Sequence, residues 1–246
     1  MGGNVKKYFK NEFQFEKLSL NHDDVSDFYL SSWQRNRSAV PLLLIRALIF
    51  IGCLSIIVSS LVIMMDQMSF GLWLIFMTHW GLILITASSG FAFAVSLRSG
   101  MPLIVKLYWI CYNTTITIAF FITAFYWILL TDLTEDYAMD PVLDVFIHAI
   151  NSVMMFLLLI TSRHPARLLH FYLPLILGVL YMIFSIIFYF AGGLKNLATH
   201  IYDWPKFNLM QVKKLIINNA PVYLLITPYL TTKILFFFQE NHVIGI

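Results

Sequence analysis

The chain has 246 residues, of which 59% are hydrophobic and only 12% charged. A water-soluble domain carries about 25% charged residues, so too little polar material is present to build a wetted shell, and the bilayer becomes the expected solvent. A formal net charge of +3 is too small and scattered for a nucleic-acid binder, and the two cysteines, Cys53 and Cys111, lie inside apolar runs that do not suit a disulfide framework.

In chain order, a polar segment over residues 1–38 comes first and is expected to be a cytosolic tail without a cleavable signal. Six apolar stretches long enough to span a bilayer follow. They run over about 41–65, 70–97, 104–131, 141–161, 168–191 and 215–238. The expected fold is therefore all-α, a polytopic six-helix membrane bundle over residues 39–239, closed by a short cytosolic tail over 240–246. Pro102, Pro141 and Pro165 precede spans, and Gly192-Gly193 closes the fifth. No internal repeat or separate soluble domain is visible.

Orientation follows the basic residues. Lys6, Lys7, Lys10, Lys17, Arg35 and Arg37 lie before the first span, Arg98 and Lys106 between the second and third, and Arg163 and Arg167 between the fourth and fifth. These segments are expected on the cytosolic side. Asp66, Asp132, Glu135, Asp136 and Asp140 lie opposite, and the link 194–214 breaks the pattern with four lysines. The plasma membrane is the favoured location, with both termini in the cytosol.

Ionisable groups inside spans are functional candidates by default. Arg46, near the start of the first span, is expected to snorkel to the interface. His148, Asn151 and Ser152 share one helical face, and Asp144 lies one turn before His148, placed to orient its imidazole. Counted from the span starts, Thr78 and His148 lie at similar depth, roughly 12 Å and 10 Å. A hydroxyl beside an imidazole is the minimum for an activated nucleophile, with Asp144 completing a triad in role and a lipid ester as substrate. Residue types alone favour ordinary interhelical hydrogen bonding for the same cluster. No metal-ligand set and no cofactor motif is present, so the expected partners are membrane lipids, with no nucleic acid. His164 and His170, beside Arg163 and Arg167, read as a topology anchor, Trp73, Trp109 and Trp127 as an aromatic belt, and the Asn113-Thr114-Thr115-Ile116-Thr117 patch as hydroxyls bonded back to their helix.

Several segments in order carry a family likeness: Asp27-Phe28-Tyr29-Leu30-Ser31-Ser32-Trp33-Gln34, Thr78-His79-Trp80-Gly81, His148-Ala149-Ile150-Asn151-Ser152, Pro165 through His170, then Tyr181, Phe184, Ser185, Gly192-Gly193 and Tyr202-Asp203-Trp204. Together they resemble the rolling stone family. The resemblance implies a multi-pass membrane protein linked to myoblast fusion in muscle development, with no established enzyme activity. A more distant likeness is to the androgen-induced family of membrane hydrolases, which cleave fatty acid esters of hydroxy fatty acids using a Thr and a later His. Thr78 resembles that Thr. The family's His-x-x-His pattern reads His148 and then Asn151 here, and Asn has no basic nitrogen to take a proton. The expectation is a membrane scaffold without that chemistry. The alternative is a threonine hydrolase with Thr78 as nucleophile and His148 as base.

Overall fold

The computed structural model describes residues 12–33, 40–66, 68–98, 101–130, 140–165 and 167–191. These residues form helices and turns, and five of the helices are long and apolar enough to cross a membrane. They cover Val40–Met65, Met77–Leu97, Pro102–Ile128, Pro141–Thr161 and Leu168–Phe188. We refer to them as the first to fifth spans. The sixth stretch expected from sequence, about 215–238, lies outside the described residues, as does the tail 240–246.

The bundle turns the usual distribution of polarity inside out. On the first span Leu44, Leu48, Ile51, Val58 and Val62 are exposed, at spacings of three, four and seven that put them on one stripe. Ile176, Leu180, Ile183 and Ile187 form a similar stripe on the fifth. Large apolar side chains left bare in rows are lipid-facing surface. Ser60, Ser88, Ser89, Thr115 and Thr117 are buried instead. Small polar residues let helices approach closely and bond across or along them. The third span is the centre, packing Tyr108, Trp109, Tyr112, Ile116 and Ala119 against Ile49 and Cys53 of the first span, Ile85 and Ala92 of the second, and Met155 and Leu158 of the fourth.

The threonines of the third span bond back as their spacing suggested: Thr114 donates to Ile110 O, Thr115 to Cys111 O and Thr117 to Asn113 O. The aromatic-belt reading needs correction for two residues. Trp73 and Trp109 are buried at 1% exposure, while Trp127 faces outward at 41%. Their neighbours supply the reason. Trp73 Nε1 donates to Ser60 Oγ at 3.1 Å, and Trp109 meets His170 edge-on at 5.0 Å, so both rings serve as packing between spans.

Residues 12–33, within the tail expected over 1–38, fold against the end of the bundle where the first span begins. Ser32 N donates to Thr161 O at 3.4 Å, and Ser31 bridges to Ser162. Phe28 inserts at 1% exposure, stacked on His164 and edge-on to Trp109.

Gly81 of the second span lies close against Ile122 and Ile118 of the third. A Cβ there would meet Ile122 Cδ1 at 2.6 Å. Because the obstructing atom is the tip of a side chain, Gly81→Ala should be absorbed by a small shift. Gly81→Leu should lower the stability of the purified protein by about 1–3 kcal/mol through overpacking, read as a lower thermal midpoint in detergent.

Candidate functional site

The second span does not run unbroken from Phe70. A helical turn over Phe70–Trp73 ends, Phe76 is extended at φ −88° and ψ 128°, and the helix restarts at Met77. The break leaves main-chain carbonyls without helical partners in a place where water is scarce. Three side chains take them. The imidazole Nδ1 of His79 bonds Trp73 O, Trp80 Nε1 donates to Leu74 O at 2.7 Å, and the Tyr181 hydroxyl on the fifth span donates to Ile75 O at 2.8 Å. The rings also pack on one another. His79 lies flat on Trp73 at 4.2 Å, and Trp80 meets Tyr181 at 5.6 Å and Phe184 at 5.3 Å. Ser185 donates to Tyr181 O, one turn back on its own helix.

A second irregularity lies across from the first. The fourth span starts at Asp140, whose carboxylate accepts from Val142 N and Leu143 N, and it widens into a π-helical turn over Phe146–Ile150. The third span widens in the same way over Tyr126–Leu130. Such turns disturb the regular carbonyl ladder and are frequent where a helix carries function. Here again side chains step in. Asn151 Nδ2 donates to Ile147 O at 2.7 Å, and Thr123 on the third span donates to His148 O. Ser152 Oγ touches Thr123 Oγ1 and donates to Ala119 O at 2.7 Å, tying the fourth span to the third.

His148 sits on this widened turn, with Nδ1 3.0 Å from Asp144 Oδ1 and 3.1 Å from Asp144 O. Asp144 Oδ2 accepts from the Tyr126 hydroxyl. Tyr126 also stacks on the imidazole, with centroids 3.6 Å apart and planes at 4°. Asp144 and Tyr126 therefore fix the His148 ring and leave Nε2 as the nitrogen that would face a ligand.

Thr78 is the second residue of the helix that restarts at Met77. Among the described residues no hydrogen bond joins Thr78 to His148, and the neighbouring His79 is the residue within electrostatic reach of it. The arrangement thus holds an oriented imidazole and a carboxylate with no hydroxyl nucleophile bonded to the imidazole. The same residues also hold no group of three His, Cys, Asp or Glu suited to a metal ion. Sequence reasoning missed Tyr126, Thr123 and the roles of His79 and Trp80. The Asp144–His148 spacing on one helix was readable, whereas contacts between helices leave no such period.

At the opposite end of the bundle, Arg46 does not snorkel. It is buried at 0% exposure and donates to Phe28 O at 2.7 Å, Ala92 O at 3.1 Å and Ser96 Oγ at 2.7 Å. Tyr108 and Ser162 lie at 3.5 and 3.4 Å. The reason is the folded-back segment, which covers the route to the interface and supplies the Phe28 carbonyl. His164 and His170, read as an anchor, are also buried. His164 Nε2 is 3.0 Å from the Tyr108 hydroxyl, and His170 Nδ1 is 3.0 Å from Asn113 Nδ2. Arg167 donates to Ser19 O at 2.6 Å and Asn21 O at 2.7 Å and lies over the Trp109 ring at 4.8 Å.

With this geometry in view, comparison with known proteins is informative. The family model described as Protein rolling stone matches residues 2–241. The chain belongs to the rolling stone family. It is 26% identical to Protein rolling stone of Drosophila melanogaster over 244 residues, covering 91% of this chain and 86% of that protein. No solved structure gives a significant match. As a rolling stone family member with five apolar spans among its described residues, the protein is an integral membrane protein in contact with lipid. Of the segments that resemble the rolling stone family, described residues fall on the features above: His79, Trp80 and Tyr181 at the break, Asn151 and Ser152 at the widened turn, and Phe28, Arg167 and His170 at the far end.

His164, in the link between the fourth and fifth spans, gives this account a pH signature. Burial first, then the nearby Arg46 charge, lowers its pKa from 6.5 to about 3. Between those values the unfolded chain binds a proton that the folded chain refuses, so stability falls as the pH drops through 6.5 and is fully present above it. The thermal midpoint should be lower at about pH 5 than at about pH 7.5, and His164→Gln should flatten that acid-side slope. An unchanged slope in the variant would mean that His164 takes up its proton as readily in the folded chain as in the unfolded one.

Proposed function

We propose that this protein is a six-span membrane scaffold that acts in cell fusion or a related membrane process without catalysing a reaction. The observation that carries the reading is the employment of the intramembrane polar groups. His79, Trp80, Tyr181, Thr123, Asn151 and Ser152 each bond a main-chain carbonyl, and Thr78 has no bond to His148. Groups used to hold helices together are not free to move protons. The fusion role is what the rolling stone resemblance implies. The sixth span is supported by the apolar stretch over about 215–238, and cytosolic termini by the basic residues that flank alternate links. The plasma membrane is where a fusion role would be exercised.

The hydrolase reading keeps one observation in its favour, the Asp144–His148 pair at 3.0 Å. Purified protein should therefore be offered a fatty acid ester of a hydroxy fatty acid, with Thr78→Ala and His148→Ala alongside. The scaffold reading predicts no turnover above the lipid-only background. Turnover that both substitutions abolish, in protein that still elutes as a folded species, would make this chain an enzyme. Content mixing between cells expressing the protein, followed with two cytosolic dyes, reads the fusion role. Mixing should rise over mock-transfected cells and should survive Thr78→Ala.

A further inference from the structure

The end of the bundle that holds Arg46 has an unusual charge arrangement. Its spans and links present Arg46, Arg163, Arg167, Arg98 and Lys106, the last two exposed. No Asp or Glu of the described spans sits at this end, since Asp66, Asp140 and Asp144 lie at the other. Among the described residues the carboxylates that face the arginines belong to the folded-back segment over residues 12–33, which carries Glu12, Glu16, Asp23, Asp24 and Asp27 against a single Lys17. Asp27 Oδ1 pairs with Arg163 Nε at 3.1 Å, and Glu12 and Asp23 act on Arg167 through their charge.

The arginine forks themselves are filled by something else. Arg167 presents both terminal nitrogens to two carbonyl oxygens, Ser19 O at 2.6 Å and Asn21 O at 2.7 Å. Two acceptors on one guanidinium edge is the pattern made by two oxygens of a phosphate or carboxylate. Arg46, the floor of the same end, reaches Phe28 O of the segment at 2.7 Å, and its Nε has no partner although it is fully buried. Trp109 Nε1, under the Arg167 guanidinium, is likewise buried without a partner. Neither arginine pairs directly with a carboxylate among the described residues. A buried cation satisfied only by dipoles is short of negative charge.

We propose that this end of the bundle is a phosphate-binding site, taking the headgroup of an anionic lipid from the adjacent leaflet, and that the acidic segment 12–33 occupies it as a built-in competitor. The segment mimics the ligand twice over. Its carbonyls stand where phosphate oxygens would sit on Arg167 and Arg46, and its carboxylates supply the charge. Arg163, with its side chain 53% exposed, is the rim residue that a headgroup meets first once Asp27 lets go. Release of the segment also withdraws Phe28 from between His164 and Trp109, opening the room a headgroup needs.

The test uses full-length protein in phosphatidylcholine nanodiscs with increasing phosphatidate, reading bound lipid by native mass spectrometry and segment release by tryptic cleavage after Lys17. Phosphatidate should be retained in preference to phosphatidylcholine and should accelerate that cleavage. Arg167→Gln should weaken the preference about tenfold, the loss of one charged two-bond contact. Asp27→Asn, at the part-buried carboxylate that pairs with Arg163 and His22, should strengthen it by loosening the cap. Inorganic phosphate at millimolar concentration separates the sources. If it accelerates cleavage as well as phosphatidate does, the site takes soluble phosphate and the lipid assignment is overturned. Equal retention of phosphatidylcholine and phosphatidate, or a preference that Asp27→Asn leaves unchanged, overturns the site itself. None of these readouts depends on fusion activity.

Discussion

A main-chain carbonyl that leaves a helix inside a bilayer has no water to turn to, and each unsatisfied group costs several kcal/mol. That constraint explains more of this molecule than any other. The chain breaks its second span after Trp73 and widens its third and fourth spans. At the break and at the widened turn of the fourth span, side-chain donors arrive from a nearby turn or a neighbouring span. His79 and Trp80 serve the break from within the same span, Tyr181 reaches it from the fifth, and Thr123 reaches the fourth span from the third. The two buried arginines repeat the pattern at the far end, where the acceptors are carbonyls of the folded-back segment. An irregular backbone satisfied by other helices is also a set of tertiary contacts, so these donors lock the spans to one another.

Much of the fold was readable because lipid imposes a blunt rule on composition. The first and fourth spans fall at Val40–Met65 and Pro141–Thr161, against expectations of about 41–65 and 141–161. Proline at a first turn and a long apolar run are strong signals. The second span was misread because Leu74-Ile75-Phe76 is as apolar as its surroundings and contains neither glycine nor proline. Only the donors that follow, His79 and Trp80, hint at the break, and their acceptors are invisible without the fold. Asp144 and His148 were paired correctly because four residues on one helix is a local relation. Tyr126, which stacks on His148 from across a link, has no such relation to it. Arg46 was assigned to the interface on the premise that the residues before it are a free tail, and the folded-back segment removes that premise.

The likeness to the rolling stone family takes on physical content in this light. The short segments that carry it are scattered along the sequence, yet several of their described residues gather where backbone carbonyls need donors or where the segment 12–33 docks. They are the parts list of an architecture. The polar residues nearby are committed to holding spans, which is what supports the proposed scaffold reading. The imidazole of His148 is fixed by Asp144 and Tyr126 at the widened turn.

Side-chain donors hold the bundle by satisfying carbonyls where its spans break or widen. The most direct measurement is the thermal midpoint of purified Tyr181→Phe against the parent protein in the same detergent. That change removes one hydroxyl and leaves the ring packed on Trp80. If the account is right, Ile75 O loses its partner and stability falls by about 1–3 kcal/mol, with a clear drop in midpoint. An unchanged midpoint would contradict it, because the break in the second span would then be stable without the donor.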